Sequence, residues 1–176
     1  AKGLTFQRQY TQEDVSVYDL FEYDLRTSVI RNPNGEKVFE TTDVEVPNHW
    51  SQIATDILAQ KYFRKAGVPQ EDGSLGREKS VKQVAHRLAD CWRAWGYKYG
   101  YFASKQDAQV FYDELVYSIM AQSCAPNSPQ WFNTGLYNSY GIDGKAQGHF
   151  YVEPKTGELT RSKNAYERPQ PHACFI

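Results

Sequence analysis

The sequence predicts a mainly α domain with two short β-hairpins, an α+β unit. Three observations carry that prediction. Apolar residues recur at helical spacing from Trp50, from Val81 and from Ala108, so each stretch presents one face to a core. Period-2 alternation occupies residues 21–30 on one side of Asn32-Pro33-Asn34-Gly35, a strong hairpin turn signal. A second pair of short extended runs flanks Pro154-Lys155-Thr156-Gly157.

In chain order, residues 1–14 are polar and read as an N-terminal arm. Phe21, Tyr23 and Leu25 alternate with Glu22, Asp24 and Arg26, and the partner strand runs through Val38 to Val46 and stops at Pro47. The first helix takes Asn48 as its cap and Trp50, Ile53, Ala54, Ile57, Leu58 and Tyr62 as its apolar face. Gly67 and Pro69 close it. Residues 70–79 read as a solvated loop. Ser80 with Gln83 forms a capping box for a helix faced by Val81, Val84, Leu88, Trp92 and Trp95, and Gly96 and Gly100 end it. Ser104 starts a third helix with Asp107 in its first turn, faced by Ala108, Phe111, Leu115, Val116 and Ile119; Pro126 marks its end. Ser128 as cap and Pro129 at the first helical position open a short fourth helix. Residues 138–148 hold three glycines and read as a loop. Residues 15–168 therefore form the domain. Residues 169–176 approach through two prolines and finish as Ala-Cys-Phe-Ile, the start of a buried strand. An end in mid-strand leaves its backbone groups short of partners, so the expectation is a piece of something larger.

The chain has 176 residues, enough for one domain with a real core. Lys+Arg is 20 against Asp+Glu 21, so no electrostatic case for nucleic acid follows. No apolar run approaches the roughly 20 residues a membrane span needs, and the first residues lack the apolar core of a signal peptide. Three widely spaced cysteines, Cys91, Cys124 and Cys174, are not a disulfide framework, and a reducing cytoplasm is the default. No zinc-type spacing accompanies His172-Ala173-Cys174, so no metal site is expected.

Two positions could carry chemistry. Cys174 is a redox or nucleophilic candidate, because His172 two residues away on a strand shares its face and an imidazolium there would favour the thiolate. From local residues alone, a small buried hydrophobe is the commoner outcome. Ser128 stands at a helix N-terminus, where free N–H groups and a hydroxyl suit an anion such as phosphate; plain caps are far commoner. Cys91 and Cys124 read as inert.

The motifs Val46-Pro47-Asn48-His49-Trp50-Ser51-Gln52 with Gln60-Lys61-Tyr62-Phe63, Ala125-Pro126-Asn127-Ser128-Pro129-Gln130-Trp131-Phe132-Asn133-Thr134-Gly135 and Gln170-Pro171-His172-Ala173-Cys174-Phe175-Ile176 together resemble the N-terminal part of the large subunit of the adenosylcobalamin-dependent, class II ribonucleotide reductases. The resemblance covers the chain from about residue 15. It implies a helical domain packed on a ten-stranded α/β barrel whose first strand begins at residues 169–176, the barrel itself lying outside this chain. It implies that Cys174 is one of two cysteines oxidised to a disulfide as the ribose 2′-hydroxyl is reduced. Ser128 would contact the substrate, through its phosphates, and Ala173 would contact it through its backbone. The implied activity is that of a ribonucleoside-diphosphate reductase. A downstream cysteine takes the 3′-hydrogen and a thioredoxin-type or dithiol reductant restores the thiols. The family's radical cysteine, the partner of Cys174 and most cobalamin contacts are absent here, so the chain alone is expected to be inactive. The resemblance also admits a homodimer of the full-length protein. It does not choose between di- and triphosphate substrates. Two rivals are a non-catalytic helical interaction domain and a small thiol enzyme using Cys174 with His172.

Overall fold

The computed structural model describes residues 2–169, and these bear out the α+β prediction. Strands β1 (Tyr23–Arg31) and β2 (Lys37–Pro47) form the first antiparallel hairpin around the Asn32–Gly35 turn. A register shift between Arg26 and Ser28 sets two residues of β2, Thr42 and Asp43, against Thr27. Asp43 adopts φ 58°, the left-handed geometry of a bulge. The shift decides which side chains turn inward. Ser28, Thr41, Val44 and Val46 are buried, whereas Leu25, the expected inward partner of Tyr23, is 69% exposed.

Helix α1 (Gln52–Ile57) is capped by Ser51, whose hydroxyl accepts from Ala54 N–H, rather than by Asn48. It runs into a single wider turn, Leu58–Tyr62, closed by Phe63 N–H donating to Leu58 carbonyl at 2.9 Å. The expected apolar face survives in part: Trp50, Leu58 and Ala59 are buried, but Ile53 and Ile57 face solvent. The helix also ends at Tyr62 instead of Gly67, because the wider turn breaks the 3.6-residue repeat there.

The stretch expected to be a solvated loop, residues 70–79, contains the short strand β4 (Leu75–Gly76), which pairs with β3 (Val68–Pro69) just before it. It also delivers a fully buried carboxylate, Glu78. Helix α2 (Val81–Lys98) starts at the expected capping box: Ser80 hydroxyl accepts from Lys82 N–H, and Gln83 side chain accepts from Ser80 N–H. Gly96 does not end it. A Cβ there would lie 2.5 Å from the Phe102 ring, so the glycine lets the following loop fold back on the helix. Helix α3 (Lys105–Met120) starts at Ser104 as expected, with the hydroxyl accepting from Asp107 N–H. It ends at Met120, short of Pro126. α2 and α3 pack along each other, and Val84, Ala85, Leu88, Ala89, Val116 and Ile119 form the centre of the core with Val44 and Val46 from β2. Trp50 locks the hairpin side to α3 by donating its indole N–H to Met120 carbonyl at 2.8 Å. α4 (Ser128–Asn133) and α5 (Leu136–Tyr140) come next in the chain, the latter in a stretch that reads as loop. The β5 (Phe150–Val152) and β6 (Leu159–Arg161) hairpin closes the described part as expected. Among the described residues no helix is long and apolar enough to cross a membrane.

The N-terminal arm lies along α3. Glu114 carboxylate accepts from the N–H groups of Gln9, Tyr10 and Thr11 and from the Thr11 hydroxyl, Arg8 pairs with Asp113 at 2.7 Å, and Phe6 packs edge-on against Phe102 and Phe111. Desolvation works against the charged Glu114, yet these donors hold its carboxyl below the usual value.

Next to the arm, Tyr18, Tyr112 and His86 form a hydrogen-bonded chain at 2.8 and 2.7 Å. Tyr18 donating to Tyr112 and Tyr112 donating to His86 Nδ1 satisfies all three when the imidazole is neutral. Burial, seconded by Arg93, holds His86 below its usual value against the pull of Asp90. The unfolded chain then binds more protons between that depressed value and about 6.5, so stability should fall as pH drops through this window and be fully present above it. Urea unfolding of the wild type and His86→Gln from pH 7.5 to 5 checks this; the glutamine chain should lose that part of the slope, and parallel curves would refute it.

Candidate functional site

The site is built on α4 and the wide turn at the end of α1. Asn127 takes extended dihedrals and its side chain accepts from Gln130 N–H at 3.1 Å, so Asn127 and not Ser128 is the cap. Ser128 is itself the first helical residue, and Pro129, which has no N–H to satisfy, sits in the first turn. The difference matters chemically. A capping Ser128 hydroxyl would be consumed by the helix. Here it is exposed and meets the Tyr62 hydroxyl at 2.9 Å. Trp131 anchors α4 from below, 7% exposed, with its indole N–H donating to Pro126 carbonyl at 2.7 Å.

What holds these two elements together is Arg87 of α2. Its side chain and that of Glu78 are both 0% exposed and pair at 2.9 Å. The guanidinium also donates to the carbonyls of Thr134 at 2.8 Å, Trp131 at 2.6 Å and Tyr62 at 3.3 Å. Glu78 accepts further from Arg64 N–H at 2.7 Å and the Tyr140 hydroxyl at 2.9 Å. Burial and the neighbouring carboxylate push the Tyr140 phenol up, keeping it a neutral donor. A buried ion pair is tolerable only when its remaining donors and acceptors are satisfied, and here each guanidinium nitrogen and each carboxylate oxygen has a hydrogen-bond partner. Arg87 and Glu78 together thereby tie α1's wide turn, α4, α5 and the segment after β4 to the middle of α2. Local sequence reasoning missed both residues, since neither a loop glutamate nor a helical arginine signals burial; the tie exists only once the loop returns to the helix.

Gly135 seats α4 against α2. It adopts φ 85°, and a Cβ on it would lie 2.0 Å from Arg87 carbonyl oxygen. Next to it, Cys91 is 3% exposed and burial pushes its thiol up to about 12, in keeping with the expectation that it is inert. Burial likewise raises the exposed-loop Cys124. Among the described residues no group of three or more His, Cys, Asp or Glu is placed to hold a metal. The expected positions Ala173 and Cys174, with His172, lie outside the described residues, so the Ser128–Cys174 separation does too. A cleft of about 390 Å³ lies between the end of α2, α5 and β5, with Trp95, Tyr99, Tyr137, Tyr151, Lys98 and Arg168 on its walls; neither Ser128 nor Tyr62 lines it.

Residues 24–122 match the family model described as class II vitamin B12-dependent ribonucleotide reductase. The chain is 50% identical over 202 aligned residues to the vitamin B12-dependent ribonucleotide reductase of Bradyrhizobium diazoefficiens and 47% identical over 201 to that of Agrobacterium fabrum, covering 98% of this chain and 16% of each relative. Against the enzyme of that name from Streptomyces avermitilis the identity is 42% over 137 residues, covering 77% of this chain and 14% of the relative. The chain therefore spans about one sixth of the length of these relatives, and within that span it belongs to the class II, vitamin B12-dependent ribonucleotide reductase family.

Proposed function

We propose that this chain is the N-terminal helical part of a cytoplasmic, cobalamin-dependent ribonucleotide reductase and supplies part of its ribonucleotide site. Ser128 contacts the substrate's phosphates and the Ala173 main chain contacts the substrate beside Cys174. Cys174 is one of two thiols that together give up two electrons and two protons. The C2′ hydroxyl leaves as water, a C–H bond replaces it, and the thiols close to a disulfide. A thioredoxin-type or dithiol reductant reopens that disulfide. Residues 169–176 enter a ten-stranded α/β barrel as its first strand, and Ile53 and Ile57, exposed on α1, suit a surface covered by the rest of the reductase, which works as a homodimer. The observation that carries the reading is the Ser128 hydroxyl, exposed, released from capping and mounted on an element fixed by Arg87.

Cobalamin is the cofactor named by the family and by its relatives. Two clefts of the described residues, of about 390 and 700 Å³, fall within the range of ordinary ligand pockets, and neither is assigned to cobalamin.

In the full-length reductase, Ser128→Ala should raise KM for the ribonucleotide about 10- to 100-fold, the size of one hydrogen bond to a charged group, with kcat within a few fold. The 176-residue chain should give no deoxynucleotide in the same steady-state assay with adenosylcobalamin and dithiol. An unchanged KM, or product above background from the chain alone, would sink the respective claim.

A further inference from the structure

Tyr62 is held more firmly than a surface tyrosine needs to be. Its ring packs on Trp131 and on Phe132, both at 5.3 Å between centroids. Its carbonyl accepts from the same Arg87 guanidinium that holds Trp131 carbonyl. Its hydroxyl meets Ser128 Oγ at 2.9 Å across 66 residues of sequence. The wide turn Leu58–Tyr62 helps to aim it. In an α-helix each residue advances about 100° around the axis, so the extra residue carried by a wider turn rotates the side chains at its far end. Wide turns of this kind recur at functional sites.

We propose that Tyr62 is a positioning residue for the Ser128 hydroxyl in substrate phosphate binding, an inference that rests on the reading of Ser128 given above. A serine hydroxyl has one donor and two acceptor sites. A phosphate offers acceptors only. The productive arrangement is therefore one in which the Tyr62 O–H donates to Ser128 Oγ and the Ser128 O–H donates to a phosphate oxygen. Tyr62 occupies an acceptor site, leaves the serine proton free, and polarises the O–H that meets the anion. Without that bond the serine side chain has three staggered wells to choose from. Fixing the donor before substrate arrives lowers the ordering cost of binding. Arg87 supports the arrangement by holding the carbonyls of Tyr62 and of Trp131, three residues on from Ser128 in α4, but touches neither hydroxyl. Tyr62 adds no charge and takes part in no bond making, so its effect belongs in substrate affinity and not in the chemical step.

The test is a double-mutant cycle in the full-length reductase, with steady-state kinetics on ribonucleoside di- and triphosphates and thermal melting in parallel. Tyr62→Phe keeps the ring stack and the carbonyl bond and removes the hydroxyl alone. It should raise KM about 3- to 10-fold, the size of one neutral hydrogen bond, with kcat within twofold and melting temperature within a few degrees. In a Ser128→Ala background the same change should move KM by less than twofold, because the hydroxyl it orients is gone. Ser128→Thr with Tyr62 intact should retain most of the affinity. If Ser128→Ala raises KM and Tyr62→Phe does not, or if the two effects are additive, the positioning role is wrong. If Ser128→Ala leaves KM unchanged, it is the underlying reading of Ser128 that fails. A Tyr62→Phe protein that melts much earlier would assign the bond to stability and overturn the positioning role; Tyr62→Leu, which also removes the stack, would then fall further still.

Discussion

Replacing Arg87 by methionine should lower the unfolding free energy by about 3–5 kcal/mol, the range seen when one partner of a buried ion pair is removed. The side chain is fully buried, as is that of Glu78. Methionine fills much of the volume but strands a carboxylate whose remaining partners are Arg64 N–H and the Tyr140 hydroxyl. It also leaves the carbonyls of Trp131, Thr134 and Tyr62 without their donor. An exposed pair sets the scale of comparison: Lys37 and Glu40 meet at 2.7 Å with 47% and 41% exposure, and losing one should change stability by about 0–1 kcal/mol. Arg87→Met combined with Glu78→Leu should be less damaging than Arg87→Met alone, since no charge is left behind. Urea denaturation of wild type, the two single variants and the double variant, monitored by tryptophan fluorescence, reads all of this. An Arg87→Met loss below about 1 kcal/mol, or a double variant worse than the sum of its parts, would contradict the assignment of the pair as the tie between α2 and the site.

Gly135→Ala should be nearly as severe, at about 2–5 kcal/mol. Two independent penalties combine. A residue with a Cβ in the left-handed region loses about 1–2 kcal/mol, and the new methyl would sit 2.0 Å from the Arg87 carbonyl oxygen and 2.5 Å from its carbon. That atom is helix backbone and cannot rotate away, so α4 and α5 must lift off α2, a form of overpacking that itself costs about 1–3 kcal/mol. Gly157 supplies the control. It has φ 74° in the β5–β6 turn, and a methyl placed on it would meet nothing within 4 Å, so Gly157→Ala should show the conformational penalty by itself. Equal losses at the two positions in the same denaturation experiment would mean that the close approach at Gly135 carries no weight.

Both predictions sit on contacts that no local pattern announces, and this explains which parts of the fold were legible. The starts of α2 and α3 were legible because a capping hydroxyl and its N–H partner lie two or three residues apart. The Asn32–Gly35 and Pro154–Gly157 turns were legible because backbone dihedrals there are set by the residues themselves. The inward faces were less so. Leu25 and Ile53 fit the apolar period and yet face solvent, because a bulge in β2 and the position of α1 on the hairpin decide which side meets the core. At Asn127-Ser128 two good capping residues stand side by side, and the choice of Asn127 released Ser128. Gly96 reads as a helix end, but its role is to admit the Phe102 ring.

By itself the sequence determined the α+β class, the longer helices and the two main hairpins, two of the helix caps, both hairpin turns and the family to which the chain belongs. These depend on short-range bonding, on composition or on motif identity. The tertiary structure alone decided that Glu78 and Arg87 are buried together, that α4 and the wide turn share one clamp, and that the Ser128 hydroxyl has Tyr62 as its partner. Each of these is a meeting of groups separated by 9 to 66 residues along the chain. Such meetings depend on how α2 packs against its neighbours, and the energy that selects them, the satisfaction of a buried charge and its carbonyl partners, comes into being only when the core closes.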